Sequence, residues 1–166
     1  IEMIQYQFND LMSQKKESDY LLAVSILTQT DQGLSQSVHD YTTESMKFLN
    51  AKCSRYSYIS NGKNTISELL WSDDQLPRLG LNIYKDIYKK HDRSTVMISE
   101  LNSPELLGVS MVLGINRVIF LPIKSFGKVN TVCEIYLSED VDFKPEVLDQ
   151  CQVAGYQISA MLERSA

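Results

Sequence analysis

Two kinds of apolar periodicity follow one another in the last fifty residues of this chain. Residues 117–123 and 129–137 form two apolar alternating runs, and the short polar segment 124–128 joins them. A period of two is typical of strands, and a connection this short joins antiparallel neighbours. From residue 146 onward the apolar period is near 3.6, which is typical of an amphipathic helix. The pattern predicts a β-hairpin that leads into a terminal helix.

The first fifty residues carry three helical patterns. The first has a narrow apolar seam, formed by Ile1, Ile4, Phe8 and Leu11. Ser18 is expected to cap a second helix that Gly33 ends, and Ser35 to cap a third, because a serine hydroxyl accepts an unpaired helix N–H and glycine readily ends helices. The third helix is expected to bury Val38, Tyr41, Met46 and Leu49.

Strand patterns begin at residue 53. The runs 53–60 and 65–71 are rich in β-branched and aromatic residues and are separated by Asn61-Gly62, a strong signal for a hairpin turn. They are expected to be adjacent antiparallel strands. The elements expected next are a helix over 79–90, a strand over 95–98 and a short helix over 106–113.

This order of elements predicts an α+β fold with one antiparallel sheet. Strands joined by tight turns pair with each other, and helices from both ends of the chain must cover one face of their sheet. The short helices and loops of the segment 71–115 then cap the other face. Such an arrangement leaves a half-open pocket between the sheet and this segment, where a small ligand would bind.

The composition excludes several classes of partner. The net charge is −5 with a pI near 5.0, and basic residues occur singly or in pairs, so no basic stripe is available for nucleic acid. No apolar run approaches the roughly 20 residues that span a bilayer, and no signal peptide is present. We therefore expect no membrane insertion of this segment. A chain that starts at Ile1 suggests a piece of a longer polypeptide.

The cysteines indicate a reducing compartment. Cys53, Cys133 and Cys151 are odd in number and have no short-range pairing, which favours free buried thiols in a cytoplasmic protein. All three are expected to pack in one core, with Cys53 on the same face of the sheet as Cys133.

Glu134 is the most distinctive candidate for a binding role. It is the one charge within the strand 129–137, and it alternates with Cys133, whose face is expected to meet the terminal helices. Glu134 would then point into the pocket, where a carboxylate needs a partner. Glu134 is expected either to reach solvent or to pair, and the candidate partners are Arg55, Arg117 and a cationic group of a ligand. A purely structural role is the competing interpretation.

Aromatic and other large residues complete the predicted site. An aromatic-lined cavity suits a flat or apolar ligand, although aromatic residues on a half-buried sheet also form ordinary core. The pocket candidates are Tyr56, Tyr58, Trp71, Met111, Phe120, Glu134 and Tyr136.

No pattern in the chain predicts catalysis or metal binding. Asp73-Asp74 is interpreted as a hydrophilic loop, and His39 and His91 as solvated or core residues. A Gly-rich phosphate loop, a Gly-x-Ser-x-Gly turn and Cys/His zinc spacing are all missing from the sequence. We expect no enzymatic activity, and the residues do not specify a cofactor.

Four segments resemble one known family. Residues 113–123 (Leu-Gly-Ile-Asn-Arg-Val-Ile-Phe-Leu-Pro-Ile) are similar to the "lgirsllavPL" segment of GAF domains, which are sensory and regulatory modules. Residues 126–129 lie at the position of the family's "rgevlG" turn. Residues 143–146 look like its "F-t-e-e" helix start, and 96–100 resemble its "vvisd" strand.

The resemblance covers residues 18–164, which leaves 1–17 as an N-terminal linker or dimerisation helix. It implies a non-enzymatic input domain of a cytoplasmic signalling protein, such as a sensor histidine kinase, a cyclic-dinucleotide enzyme or a transcriptional regulator. The output domain would lie in the same polypeptide, and signals would pass through the terminal helices of a homodimer. A ligand-free dimerisation or spacer module, with its pocket filled by its own side chains, is the alternative.

The sequence also departs from the family. Nothing matches the Asn-Lys-Phe-Asp-Glu constellation of the members that bind cyclic nucleotides. The segment 71–115 contains no cysteine, whereas tetrapyrrole-binding and methionine-sulfoxide-reducing members use cysteines there. A small-molecule ligand therefore remains possible but without an identity.

Overall fold

The computed structural model describes residues 2–30, 32–51, 53–60, 63–66, 96–100, 114–138 and 144–165. These residues form three α-helices and five β-strands. In chain order they are α1 (Glu2–Leu27), α2 (Gly33–Leu49), β1 (Cys53–Ser60), β2 (Lys63–Ile66), β3 (Met97–Glu100), β4 (Arg117–Ser125), β5 (Lys128–Leu137) and α3 (Glu146–Ser165).

The strands form one antiparallel sheet in the order β2-β1-β5-β4-β3. The predicted carboxyl-terminal hairpin is confirmed, because β4 pairs with β5 from Arg117 opposite Leu137 to Ser125 opposite Lys128. The hairpin of β1 and β2 is confirmed over its described part, where Ser60 pairs with Lys63. β5 lies at the centre of the sheet and brings together strands that are far apart in the chain.

The helices cover one face of this sheet, as predicted. α3 packs on β4, α2 packs on β1 and β5, and α1 lies against both α2 and α3. The sheet contributes alternate residues to this core, namely Ile119, Leu121, Ile123, Cys133, Ile135 and Leu137. α2 contributes the four residues that its spacing predicted, Val38, Tyr41, Met46 and Leu49.

α1 is a single helix, so the expectation that Ser18 caps a second helix is wrong. Residues around Ser18 include lysine, glutamine and glutamate, which favour helix and carry it through this position. The helix ends at Leu27 rather than at Gly33. There the Thr28 hydroxyl donates to the Ser25 carbonyl over 2.7 Å and the Thr30 hydroxyl to the Leu27 carbonyl over 2.9 Å, so side chains take up carbonyls of the last turn.

α2 begins two residues before the expected cap Ser35. Gly33 is its first residue and has a φ of +78°, while Gln32 precedes the helix without a side-chain capping bond. Gly33 therefore provides the sharp change of direction between α1 and α2, where the sequence pattern had assigned it the end of a helix.

α3 follows Pro145 and matches its predicted apolar stripe. Cys151, Ala154, Ile158 and Met161 are buried, and Val147 is partly buried. Glu146 lies in the first turn, where the helix dipole favours negative charge.

Several expectations lie outside the described residues. They are the helices over 79–90 and 106–113, the part of the second strand beyond residue 66, the loop Asp73-Asp74, and His91, Trp71 and Met111. In the part of the chain that the structure describes, no helix has both the length and the apolar character needed to cross a membrane.

Candidate ligand-binding face

Strand register assigns each side chain of the sheet to one of two faces. Opposed residues of an antiparallel pair lie on the same face, and neighbours along a strand alternate. Leu121 pairs with Cys133, and both belong to the helix-side core. Phe120 pairs with Glu134, so both lie on the opposite face, which we call the candidate face.

Glu134 is buried on this candidate face, with 1% of its surface exposed. Among the residues whose side-chain burial the structure describes, it is the one acidic or basic side chain in the buried class. Burial of a carboxylate is costly without a compensating charge or hydrogen bond, so its position requires polar or cationic surroundings. Glu134 lies on the face away from the helices, as its alternation with Cys133 predicted.

The sheet brings Arg55 to the position directly opposite Glu134. The two residues are Cα partners in the β1–β5 pair, which places them on one face. Arg117 pairs with Leu137 instead, on the other face, and its Nη2 donates to the Ser138 carbonyl over 3.1 Å. Of the two arginines expected as partners, Arg55 is therefore the one whose strand position lies on the same face as Glu134.

The residues of β4 and β5 around Glu134 on the candidate face are apolar or aromatic and buried. Phe120 and Tyr136 are both 0% exposed. Val118, Pro122 and Val132 lie on the same face and are also buried. Two of the five predicted aromatic residues and the predicted carboxylate thus lie together on neighbouring strands.

Tyr56 does not belong to this set. It pairs with Cys133 across β1 and β5 and packs in the helix-side core, so the expectation that it lines the pocket is wrong. The pattern of β1 alone shows which residues alternate, but only its register against β5 decides which set faces the helices. Tyr58 is paired through its backbone with Thr131.

The same register corrects the placement of Cys53. It pairs with Tyr136, so it lies on the candidate face rather than with Cys133. Ser54 takes the helix-side position, where its hydroxyl donates to the Met46 sulfur over 2.9 Å. All three cysteines are buried free thiols.

Burial, together with the neighbouring Glu134, lowers the reactivity of the Cys133 thiol. Burial raises the pKa of Cys133 to about 12, the adjacent Glu134 contributes to the rise, and the hydrogen bond from Thr42 opposes it. The Thr42 Oγ1 lies 3.3 Å from the Cys133 sulfur. A thiol with this pKa is a packing element rather than a nucleophile.

A polar cluster in the helix layer had no sequence signal of its own. The hydroxyls of Tyr20 and Ser45 lie 2.8 Å apart, and the Tyr41 hydroxyl donates to the Cys151 carbonyl over 3.4 Å. The spacing of Tyr20 and Tyr41 indicates buried residues, but it cannot show that their hydroxyls meet between three helices. This cluster connects α1, α2 and α3 on the side of the sheet away from Glu134.

The surface of the helix layer also has a groove of about 170 Å³ between α1 and α2. Charged side chains of both signs line it, including Lys16, Asp19, Glu44 and Lys47. It lies on the other side of the molecule from the candidate face. Within the described ranges, no cluster of three or more histidine, cysteine or acidic residues could hold a metal ion.

Solved structures provide the comparison that identifies the fold. A GAF domain of A. aeolicus NLH2, in an inactive state, has a TM-score of 0.65 at 14% identity and covers 93% of this chain and 99% of its own. The GAF domain of a putative sensor histidine kinase from Pseudomonas syringae pv. tomato has a TM-score of 0.63 at 12% identity, with 96% and 93% covered. The chain has the fold of a GAF domain.

Another GAF domain with this fold contains a chromophore. The phycoerythrobilin-bound GAF domain of a cyanobacterial phytochrome has a TM-score of 0.64 at 11% identity and covers 90% of this chain and 95% of its own. No protein-family model matches the sequence, and no curated protein matches it. The resemblance predicted from residues 113–123 and the other segments is therefore confirmed at the level of the GAF fold.

Proposed function

We propose that this chain is a non-enzymatic sensory input domain of a cytoplasmic signalling protein. The GAF fold, found also in a sensor histidine kinase and a phytochrome, supports this class of function. The observation on which the proposal depends is the buried carboxylate of Glu134 between Phe120 and Tyr136 on the face opposite the helices. A sensor histidine kinase, a cyclic-dinucleotide enzyme or a transcriptional regulator would be the attached output.

The candidate face would form the ligand site. Glu134 would balance a cationic group, and the rings of Phe120 and Tyr136 would contact a flat or apolar part of the ligand. Trp71 and Met111 remain proposed contributors to the same pocket, whereas Tyr58 pairs with Thr131 and so shares the register of Tyr56.

The terminal helices would carry the signal in a homodimer. The amino-terminal half of α1 has exposed apolar side chains, namely Met3, Ile4, Tyr6, Phe8, Leu11 and Met12. α3 exposes Val153 and Tyr156 and lies beside α1, where Lys144 Nζ is 4.0 Å from Asp10 Oδ1. Contiguous exposed apolar surface favours association, and a second copy of the same helices would cover it symmetrically.

β5 provides a short physical route from the site to these helices. Glu134 lies on its candidate face, while its neighbours Cys133 and Ile135 lie in the helix-side core. A ligand that binds one arrangement of the core better than another shifts the helices toward that arrangement. The size of the shift is limited by the difference between the two affinities.

One observation favours the alternative of a ligand-free dimerisation or spacer module. Phe120, Glu134 and Tyr136 are almost completely buried by other parts of the same chain. In that case the face is filled by the protein itself, and Glu134 forms a structural ion pair.

Native mass spectrometry and an absorbance scan of the purified chain distinguish the two proposals. A sensor is expected to retain a small molecule, and Glu134→Gln is expected to release it, with a Tm close to that of the unmodified chain after its ligand is removed. If Glu134 only balances a structural cation, the same substitution should instead lower stability by about 3–5 kcal/mol. Protein that carries no ligand and loses stability to this extent would contradict the sensor proposal.

A further inference from the structure

Two backbone N–H groups at the β4–β5 turn are bound by side chains of α3. The Lys124 N–H donates to the Ser159 hydroxyl oxygen over 3.1 Å, and the Phe126 N–H donates to the Glu163 carboxylate over 2.8 Å. Ser159 and Glu163 are four residues apart and so lie on one side of the helix. The end of α3 is therefore attached to the hairpin by directional bonds as well as by apolar packing.

The two donors lie at the end of the β4–β5 ladder. The last pair is Ser125 with Lys128, and the register shifts between Ile123 and Lys124, which leaves Asn130 of β5 without a Cα partner. The turn itself has two residues, Phe126 and Gly127, both with positive φ, of 52° and 78°. The Phe126 N–H therefore lies beyond the last pair of the ladder and reaches α3.

Phe126 is an unfavourable residue for this turn. Two-residue turns with positive φ at both positions prefer Asn-Gly or Asp-Gly, and a bulky side chain in the left-handed region is strained. The ring does not offset this strain by burial, because Phe126 is 69% exposed. The bond to a carboxylate is charge-assisted and therefore among the stronger hydrogen bonds.

We propose that the β4–β5 turn and the last turns of α3 form a latch, which opens locally while the core stays folded. The bond that closes the latch runs from the Phe126 N–H to the Glu163 carboxylate. On the inner side of α3, Ile158 and Met161 are buried, so the helix keeps its place on the sheet when the latch opens. The latch depends neither on a ligand nor on dimerisation.

Amide hydrogen exchange of the purified chain tests the latch. Glu163→Ala removes the acceptor and is expected to speed exchange of the Phe126 amide at least tenfold, with a smaller increase at Lys124. Glu163→Gln keeps a side-chain oxygen at the same position and should change exchange at Phe126 less than Glu163→Ala does. Glu146→Ala, the same substitution at the exposed start of α3, is the matched control and should leave both amides unchanged.

A second variant separates the latch from general stability. Phe126→Asn fits the turn better and retains the backbone N–H, so protection of the amide at position 126 should be kept or increased. Unchanged exchange at Phe126 in Glu163→Ala would overturn the proposal. Faster exchange throughout β4, β5 and α3 would overturn it as well, because Glu163 would then stabilise the whole fold.

Discussion

Gly155 lies in the middle of α3, where the structure predicts that alanine is the better residue. A methyl group at this position would lie 3.4 Å from the Tyr41 hydroxyl oxygen and 3.7 Å from the Pro122 carbonyl oxygen. Both distances are ordinary van der Waals contacts. Gly155 is therefore not required by close packing, and its cost to the helix can be recovered.

The expected gain follows from helix propensity. Glycine is about 0.8–1.0 kcal/mol less favourable than alanine in a helix interior. The close approach to Tyr41 offsets part of the extra burial, so we expect Gly155→Ala to stabilise the protein by about 1 kcal/mol. For a chain of this size that corresponds to a rise in Tm of about 2–4 °C.

Thermal and urea unfolding, followed by circular dichroism, measure this change. Ala160→Gly is the matched control, since Ala160 is an exposed residue of the same helix and should lose about the amount that Gly155→Ala gains. In a Tyr41→Phe background the gain should be equal or larger, because that variant lacks the hydroxyl that the new methyl group approaches. A lower Tm for Gly155→Ala would refute the reasoning, and recovery of stability in the double variant would identify the Tyr41 hydroxyl as the clash.

Three further outcomes are expected. Phe8→Asn, which removes an exposed apolar contact of α1, should weaken self-association at least tenfold in analytical ultracentrifugation, and a monomeric unmodified chain at high micromolar concentration would disprove the dimer. Burial raises the pKa of Cys133 and of Cys151 to about 12, so Ellman's reagent at pH 8 should label neither thiol in the folded protein. After denaturation it should label all three cysteines, and rapid labelling of Cys133 or Cys151 in the native chain would contradict their placement in the core. Burial also raises the pKa of Tyr20 and Tyr41 well above 10, so the stability that depends on their neutral forms is complete below pH 10 and is lost as the pH rises further. Ultraviolet titration should show both tyrosines ionising only as the protein unfolds, and their ionisation in folded protein would contradict this prediction.

The hairpin of β4 and β5 was predictable because two local signals agree there. Alternating apolar residues and a short polar turn both specify adjacent antiparallel strands, and the following 3.6 period specifies α3. The same alternation correctly separated Glu134 from Cys133. Each of these inferences needs only residues that are neighbours in the chain.

The face of Tyr56 and Cys53 was not predictable from the same kind of signal. Each alternating set of β1 mixes polar residues with apolar or aromatic ones, so neither set is clearly the apolar one. The two sets are Cys53, Arg55, Ser57 and Ile59, and Ser54, Tyr56, Tyr58 and Ser60. Its partner β5 is more than sixty residues away, and a shift of one residue in their pairing would exchange the faces. The information that decides the question lies in the register between Cys53 and Tyr136.

The bonds between α3 and the turn show a different limit. Glu163 and Phe126 are 37 residues apart, and an exposed glutamate near a helix end has many possible roles. Its bond to the turn involves the N–H of Phe126, which has a positive φ that this residue type does not favour. Because Phe126 is not a residue type that favours this turn, the sequence does not predict the turn or the contact with Glu163 that accompanies it, and both become visible only in the folded chain.

The central place of β5 also determines where this domain can change during evolution. An insertion or deletion within β5 would reverse its alternation, moving Glu134 among the helices and Cys133 to the opposite side, and both neighbouring strands would resist the change. β2 and β3 are instead the two outer strands, and the chain between them, residues 67–96, joins opposite edges of the sheet. The described pairs of the ladder do not depend on the number of residues between these two edges, so the strand that carries Glu134 can keep its register when that number changes.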